Sequence, residues 1–77
     1  MMFTVYSTPD CPYCVRAKQL LEAKHQTYET VDVLESDEAR ELFVEWRVRT
    51  VPQIVHNNVH IGGFEDLVKY LEADNEG

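Results

Sequence analysis

Cys11 and Cys14 are the only two cysteines of a 77-residue chain, three positions apart in Thr8-Pro9-Asp10-Cys11-Pro12-Tyr13-Cys14-Val15-Arg16-Ala17-Lys18. That spacing fits a structural disulfide, half of a metal site, or a thiol pair built for exchange. The entropic benefit of a crosslink grows with the loop it closes, so a bridge from i to i+3 constrains the unfolded chain little. A metal needs two more ligands. His56 and His60 have an H-x₃-H spacing, but 41 residues separate Cys14 from His56, against about a dozen in a zinc finger. They also flank Asn57-Asn58, a hairpin turn, one on each strand. His25, alone near a helix end, reads as a dipole partner or a solvated side chain. No metal is expected.

Exchange chemistry suits the flanking residues. Pro12 fits the first turn of a helix, where its missing N–H is not needed. That places Cys11 at the helix cap and Cys14 about one turn inside. The unpaired N–H groups and positive dipole end of a helix start stabilise an anion there. A free thiol of pKa about 8.5 is only slightly ionised at neutral pH, and such a position lowers the value. Cys11 then attacks a disulfide, and Cys14 displaces the mixed disulfide that forms.

These sulfurs need a frame. Phe3-Thr4-Val5-Tyr6-Ser7 is a β-favouring run ended by Thr8-Pro9-Asp10. Helical periodicity runs from Pro12 to about Lys24, with Cys14, Ala17, Leu20 and Leu21 on one side. A strand is predicted over 27–33. Ser36 is a candidate N-cap with Asp37 and Glu38 in the following turn. Ala39, Leu42, Phe43 and Trp46 make an amphipathic stripe, with Trp46 read as a core anchor. Pro52 opens a strand through Ile54 and Val55, Asn57-Asn58 turns it, and Val59-His60-Ile61 returns. Gly62-Gly63 precedes a last helix carrying Phe64, Leu67, Val68 and Leu71, which ends near Asp74 in a polar, fraying tail. The order β-α-β-α-β-β-α predicts an α/β fold, a small mixed sheet with helices on its faces. One domain over 1–77 is expected, without repeats or linkers.

The formal net charge is −7, from 14 acidic residues against 7 Lys and Arg. That argues against nucleic acid or an anionic membrane as partner. Arg16 and Lys18 nevertheless follow the cysteines, and Arg40, Arg47 and Arg49 crowd the approach to Val51-Pro52, where a small anion could bind. Met1-Met2-Phe3-Thr4 has neither a basic start nor a long apolar run, and no stretch approaches a membrane span. A reducing cytoplasm is the expected location, where a cysteine pair is more often catalytic or metal-binding than structural.

Three segments recur together in one family: Cys11-Pro12-Tyr13-Cys14, Thr50-Val51-Pro52-Gln53-Ile54, and Ile61-Gly62-Gly63-Phe64-Glu65-Asp66-Leu67. In their order and separations the chain closely resembles a dithiol glutaredoxin of the small bacterial or phage type, over essentially its whole length. The resemblance implies a thioredoxin-like fold, a four-stranded mixed sheet with helices on both faces, and glutathione as reductant. Cys11 is then the nucleophile and Cys14 the resolving thiol. The Val51–Pro52 bond is implied to be cis, where the chain's own physics expects trans, and the Val51 backbone to pair with the cysteinyl part of glutathione. Gly62-Gly63 with Phe64, Glu65 and Asp66 resembles the clamp for the γ-glutamyl end. Two glycines also permit close approach of a ligand, and a helix start offers N–H groups to a carboxylate. Read alone, the same stretch is a turn followed by acidic residues that complement the helix dipole. Tyr13 is implied to flank the ligand. Many relatives carry Lys or Arg where this chain has Thr8, and Arg49 is the residue expected to replace that cation, ahead of Arg47 and Arg40.

The implied activity is reduction of protein disulfides through both cysteines, in partners such as ribonucleotide reductase, and of glutathione mixed disulfides through Cys11 alone, by a monomer. A rival is a redoxin recharged by thioredoxin reductase, which Thr8 favours and the Gly62-Gly63 and Pro12-Tyr13 dipeptides oppose. A third reading, from another class, is a carrier of a [2Fe–2S] cluster bridged through Cys11 and glutathione, which Pro12 hinders.

Overall fold

Strand β1 (Phe3–Ser7) alternates strictly, with Phe3, Val5 and Ser7 buried, and becomes an inner strand of a four-stranded sheet ordered β2-β1-β3-β4. The computed structural model describes residues 2–74; the polar tail expected beyond Asp74 lies outside them. β1 runs parallel to β2 (Tyr28–Asp32), from Phe3↔Tyr28 to Ser7↔Asp32. A parallel pair needs a crossover, and α1 (Pro12–Ala23) supplies it. On its other side β1 pairs antiparallel with β3 (Gln53–His56), which turns into β4 (Val59–Gly62). Asn57 (φ 55°) and Asn58 (φ 65°) both take the positive φ of a two-residue hairpin turn.

β2 is shorter than the run 27–33. The Asp32 side chain accepts from the Leu34 N–H at 2.9 Å and caps a 3₁₀ turn over Val33–Glu35 that draws Val33 out of the strand. Helix α2 (Asp37–Trp46) starts as expected, with Ser36 Oγ accepting from the Ala39 N–H at 3.1 Å. Its end is a Schellman motif on a non-glycine residue: Arg47 lies at φ 61°, and Arg47 and Val48 donate to Val44 and Phe43. His25 (φ 58°) ends α1 in the same way, its N–H bonded to Glu22 and that of Gln26 to Leu21.

Two apolar clusters sandwich the sheet. Phe3, Val5, Ala17, Leu21, Ile54, Leu67 and Leu71 join it to α1 and α3 (Phe64–Asp74). Val33, Ala39 and Phe43, with Tyr6, Val31 and Trp46 against them, join its other face to α2. Trp46 is thus a core anchor, in edge contact with Tyr6 at 5.7 Å between ring centres. No described helix is long and apolar enough to cross a membrane.

Candidate active site

Helix α1 starts at the cysteines. Cys11 is its N-cap, with extended backbone (φ −133°, ψ 102°), and Pro12 opens the first turn. Cys11 Sγ accepts from the Cys14 N–H at 3.1 Å, an orientation that stabilises negative charge on that sulfur once it is reduced. The two cysteines are joined as a disulfide, Cα atoms 5.2 Å apart. Cys11 is half-buried, whereas Cys14 is 1% exposed. The asymmetry gives an outside partner one sulfur to meet.

The loop before β3 passes beside this pair. The Val51–Pro52 bond is cis, and the Val51 carbonyl oxygen lies 3.7 Å from Cys11 Sγ. Val51 and Pro52 line a groove of about 350 Å³ together with Tyr13, Thr50, Gly63, Phe64, Glu65 and Asp66. Seven residues singled out in the sequence, from three separate segments, therefore share one wall-to-wall concavity; Thr50 is the addition. Arg49 is exposed and outside that lining. Arg40 is engaged elsewhere, by Asp37 and the Leu34 carbonyl. Tyr13 is held over the groove by Phe64 (5.8 Å between ring centres) and by the Arg16 guanidinium, 5.1 Å from its ring centre.

The sulfurs themselves open into a second cleft of about 250 Å³, lined by Ser7, Thr8, Cys11, Cys14, Lys18, Asp32 and their neighbours. Among the described residues, Lys18 is the one cation lining either opening. Lys18 is one of the basic residues that the sequence places beside the cysteines; Asp32 is not singled out there, because it reaches Ser7 only through the β1–β2 register.

The far end of the groove rests on the start of α3. Asp66 Oδ2 accepts from the Gly63 N–H at 3.1 Å, the reach-back of a capping box. Gly62 lies at φ 125°, and a Cβ there would clash with the Asp66 carboxylate. Gly62→Ala therefore combines backbone strain with displacement of the cap and is expected to lower stability by about 2 kcal/mol in denaturant titration. At Gly63 the added atom would meet, among the described residues, only the Pro52 carbonyl, at 3.6 Å, so Gly63→Ala is expected to stay within about 1 kcal/mol of the parent. Equal losses at the two positions would contradict this account.

His56 and His60 face opposite layers. The His56 ring stacks on Phe3 at 3.9 Å with Nδ1 2.7 Å from the Tyr70 hydroxyl, and the His60 ring stacks on Trp46 at 3.9 Å. Burial pushes the His60 pKa below its ordinary 6.5, with the Asp66 carboxylate pulling the other way. Because the folded value is the lower one, this contribution to stability is complete above the unfolded pKa of about 6.5 and is lost as pH falls through the folded value. Melting temperature is expected to drop between pH 7.5 and 5, and His60→Phe to remove part of that drop. An unchanged pH profile in the variant would count against it.

A parallel crossover from an inner strand to an edge strand, two further antiparallel strands and helices on both faces make this a thioredoxin-like fold, and the cysteine pair at the mouth of its first helix marks a thiol-disulfide oxidoreductase. Known proteins narrow the class. The glutaredoxin family model matches residues 3–61, and the chain belongs to the glutaredoxin family. It is similar to glutaredoxin 1 of Rickettsia typhi, 41% identical over 73 residues that cover 91% of this chain and 69% of that protein. Its fold is similar to the solution structure of glutaredoxin from Brucella melitensis (36% identity, TM-score 0.77, covering 99% of this chain and 83% of that one). It is also similar to a buckwheat glutaredoxin–glutathione complex (25% identity, TM-score 0.80, 94% and 69% covered).

Proposed function

We propose that this oxidoreductase is glutathione-dependent. The observation that carries the reading is the groove in which Tyr13, Val51, Pro52 and the start of α3 converge, with the carbonyl of its Val51 wall 3.7 Å from Cys11 Sγ. Its volume of about 350 Å³ lies within the range of small-molecule sites. A relative of the same fold was solved with glutathione, which supports the assignment.

In this scheme the Cys11 thiolate attacks one sulfur of a substrate disulfide. A mixed disulfide forms, and the departing sulfur leaves as a thiolate that takes up a proton. Cys14 loses its proton and displaces the second half, leaving the Cys11–Cys14 disulfide, which two glutathione thiols reduce while becoming glutathione disulfide. With a glutathione mixed disulfide, Cys11 takes the glutathionyl group and a second glutathione removes it. The Val51 backbone pairs with the cysteinyl unit, and the N–H groups opening α3 hold the γ-glutamyl carboxylate. Gly63, Phe64 and Glu65 border that end, and Asp66 accepts from the ammonium group. Arg49 meets the glycine carboxylate from outside the groove. The protein works as a single-domain monomer in the cytoplasm on disulfide-bearing proteins, ribonucleotide reductase among them.

The test is a coupled assay of the disulfide-form protein with glutathione, glutathione reductase and NADPH. Steady NADPH oxidation on addition of a peptide disulfide is expected. No consumption, with turnover restored by thioredoxin reductase, overturns glutathione dependence and leaves the exchange chemistry in place.

A further inference from the structure

One buried polar side chain has no part in the exchange steps. Gln53 is 3% exposed, on the face of β3 that looks toward α2. Its Nε2 donates to the Thr50 carbonyl at 3.0 Å and lies 3.4 Å from Thr50 Oγ1. With Nε2 so directed, Gln53 Oε1 can only accept, and it meets His60 Nε2 at 2.7 Å. The proton of neutral His60 is thereby placed on Nε2. The ring itself lies flat on Trp46, 3.9 Å away and inclined by 7°, and Trp46 contacts Tyr6 and Phe43 of the α2-side core.

These contacts form an unbroken line from a rigid aromatic cluster to the reacting sulfur. Trp46 sets His60, His60 sets the Gln53 amide, and the amide holds Thr50. The next residue, Val51, presents its carbonyl 3.7 Å from Cys11 Sγ. Pro52 has no N–H with which to anchor this loop to the sheet, so the side-chain clasp on Thr50 takes that part. Thr50 and Val51 both line the groove.

We propose that Gln53 and His60 are positioning residues of the redox centre, holding the Thr50–Val51 backbone as the wall against which a disulfide substrate is aligned at Cys11. The proposal does not depend on glutathione as the ligand. It concerns any substrate that lies along Val51.

The test uses the full chain, pre-reduced and freed of reductant, in single turnover against a short cystine-bridged peptide at varied concentration, with loss of protein thiols as the readout. Gln53→Met keeps the length and removes both hydrogen bonds; His60→Phe keeps the flat ring on Trp46 and removes the donor. Misplacing an aligning wall by a fraction of an ångström weakens alignment steeply. The saturating rate is expected to fall about tenfold in Gln53→Met and about threefold in His60→Phe, with half-saturation within about twofold of the parent. Because both changes cut one line of contacts, the double variant is expected to match Gln53→Met alone rather than multiply the losses. An unchanged saturating rate in either folded variant overturns the proposal, as do multiplicative losses in the double variant. Should Gln53→Met fail to fold, His60→Phe decides the matter by itself.

Discussion

Cys11→Ser is expected to remove disulfide exchange altogether while leaving the fold intact. The attacking species is a thiolate, and a serine hydroxyl at the same place is not ionised near neutral pH, so the rate should fall by on the order of 10³-fold or more. The substitution separates chemistry from folding unusually well. Cys11 caps α1, accepting from the Cys14 N–H at 3.1 Å, and serine is among the best N-cap residues. Compared with the reduced parent, which like the variant has no ring between positions 11 and 14, the unfolding free energy is expected to change by no more than about 1 kcal/mol. Activity above about a hundredth of the parent rate in a well-folded variant would mean that another group attacks. The companion measurement is the pH dependence of Cys11 alkylation in the reduced protein. Its midpoint is expected below the free-thiol value of about 8.5 because the helix start faces the sulfur.

Cys14→Ser should divide the activities instead. Cys14 is 1% exposed, so no outside disulfide reaches it first, while its Cα lies 5.2 Å from that of Cys11, inside the span a disulfide bridges. Its proposed task is the intramolecular second step. Without it, reduction of protein disulfides should stall at the mixed disulfide and fall by roughly 10²-fold or more, since an intramolecular thiol must be replaced by one from solution. Turnover of a glutathionylated peptide, which in the proposed scheme needs only Cys11 and free glutathione, is expected to stay within a few-fold of the parent. Trapping the stalled mixed disulfide by mass spectrometry is the direct check. Loss of both activities in a folded variant would show that Cys14 does more than resolve.

These predictions were open to sequence reasoning because their determinants are local. A Pro after Cys11 and a cysteine one turn later describe a helix start without reference to the rest of the chain. The Ser36 cap and the Asn57-Asn58 turn are of the same kind, each written in two to four residues. The ends of α1 near Lys24 and of α2 at Trp46 were legible from where the apolar stripes stop, but the geometry of their caps was not. His25 and Arg47 take positive φ where glycine is the usual signal, because the apolar contacts on either side set where the helix must stop. The groove itself was legible only through the family resemblance. Tyr13, Val51 and Gly63 come from segments far apart along the chain, and the isolated Gly62-Gly63 reads equally well as a plain turn.

Taken by itself, the chain determined the seven elements, the cap that holds Cys11, and the division of the two thiols into one outer and one inner sulfur. Those follow from hydrogen bonds and hydrophobic periodicity within a few residues. Only the tertiary structure decided that Lys18 and Asp32 share the cleft of the sulfurs, that Arg49 stands outside the groove, and that Gln53 and His60 clasp the Thr50–Val51 loop. Each depends on which strands lie side by side and in what register. A shift of one residue would turn every side chain to the other face, and that register is settled by the burial of the whole sheet between its two helical layers.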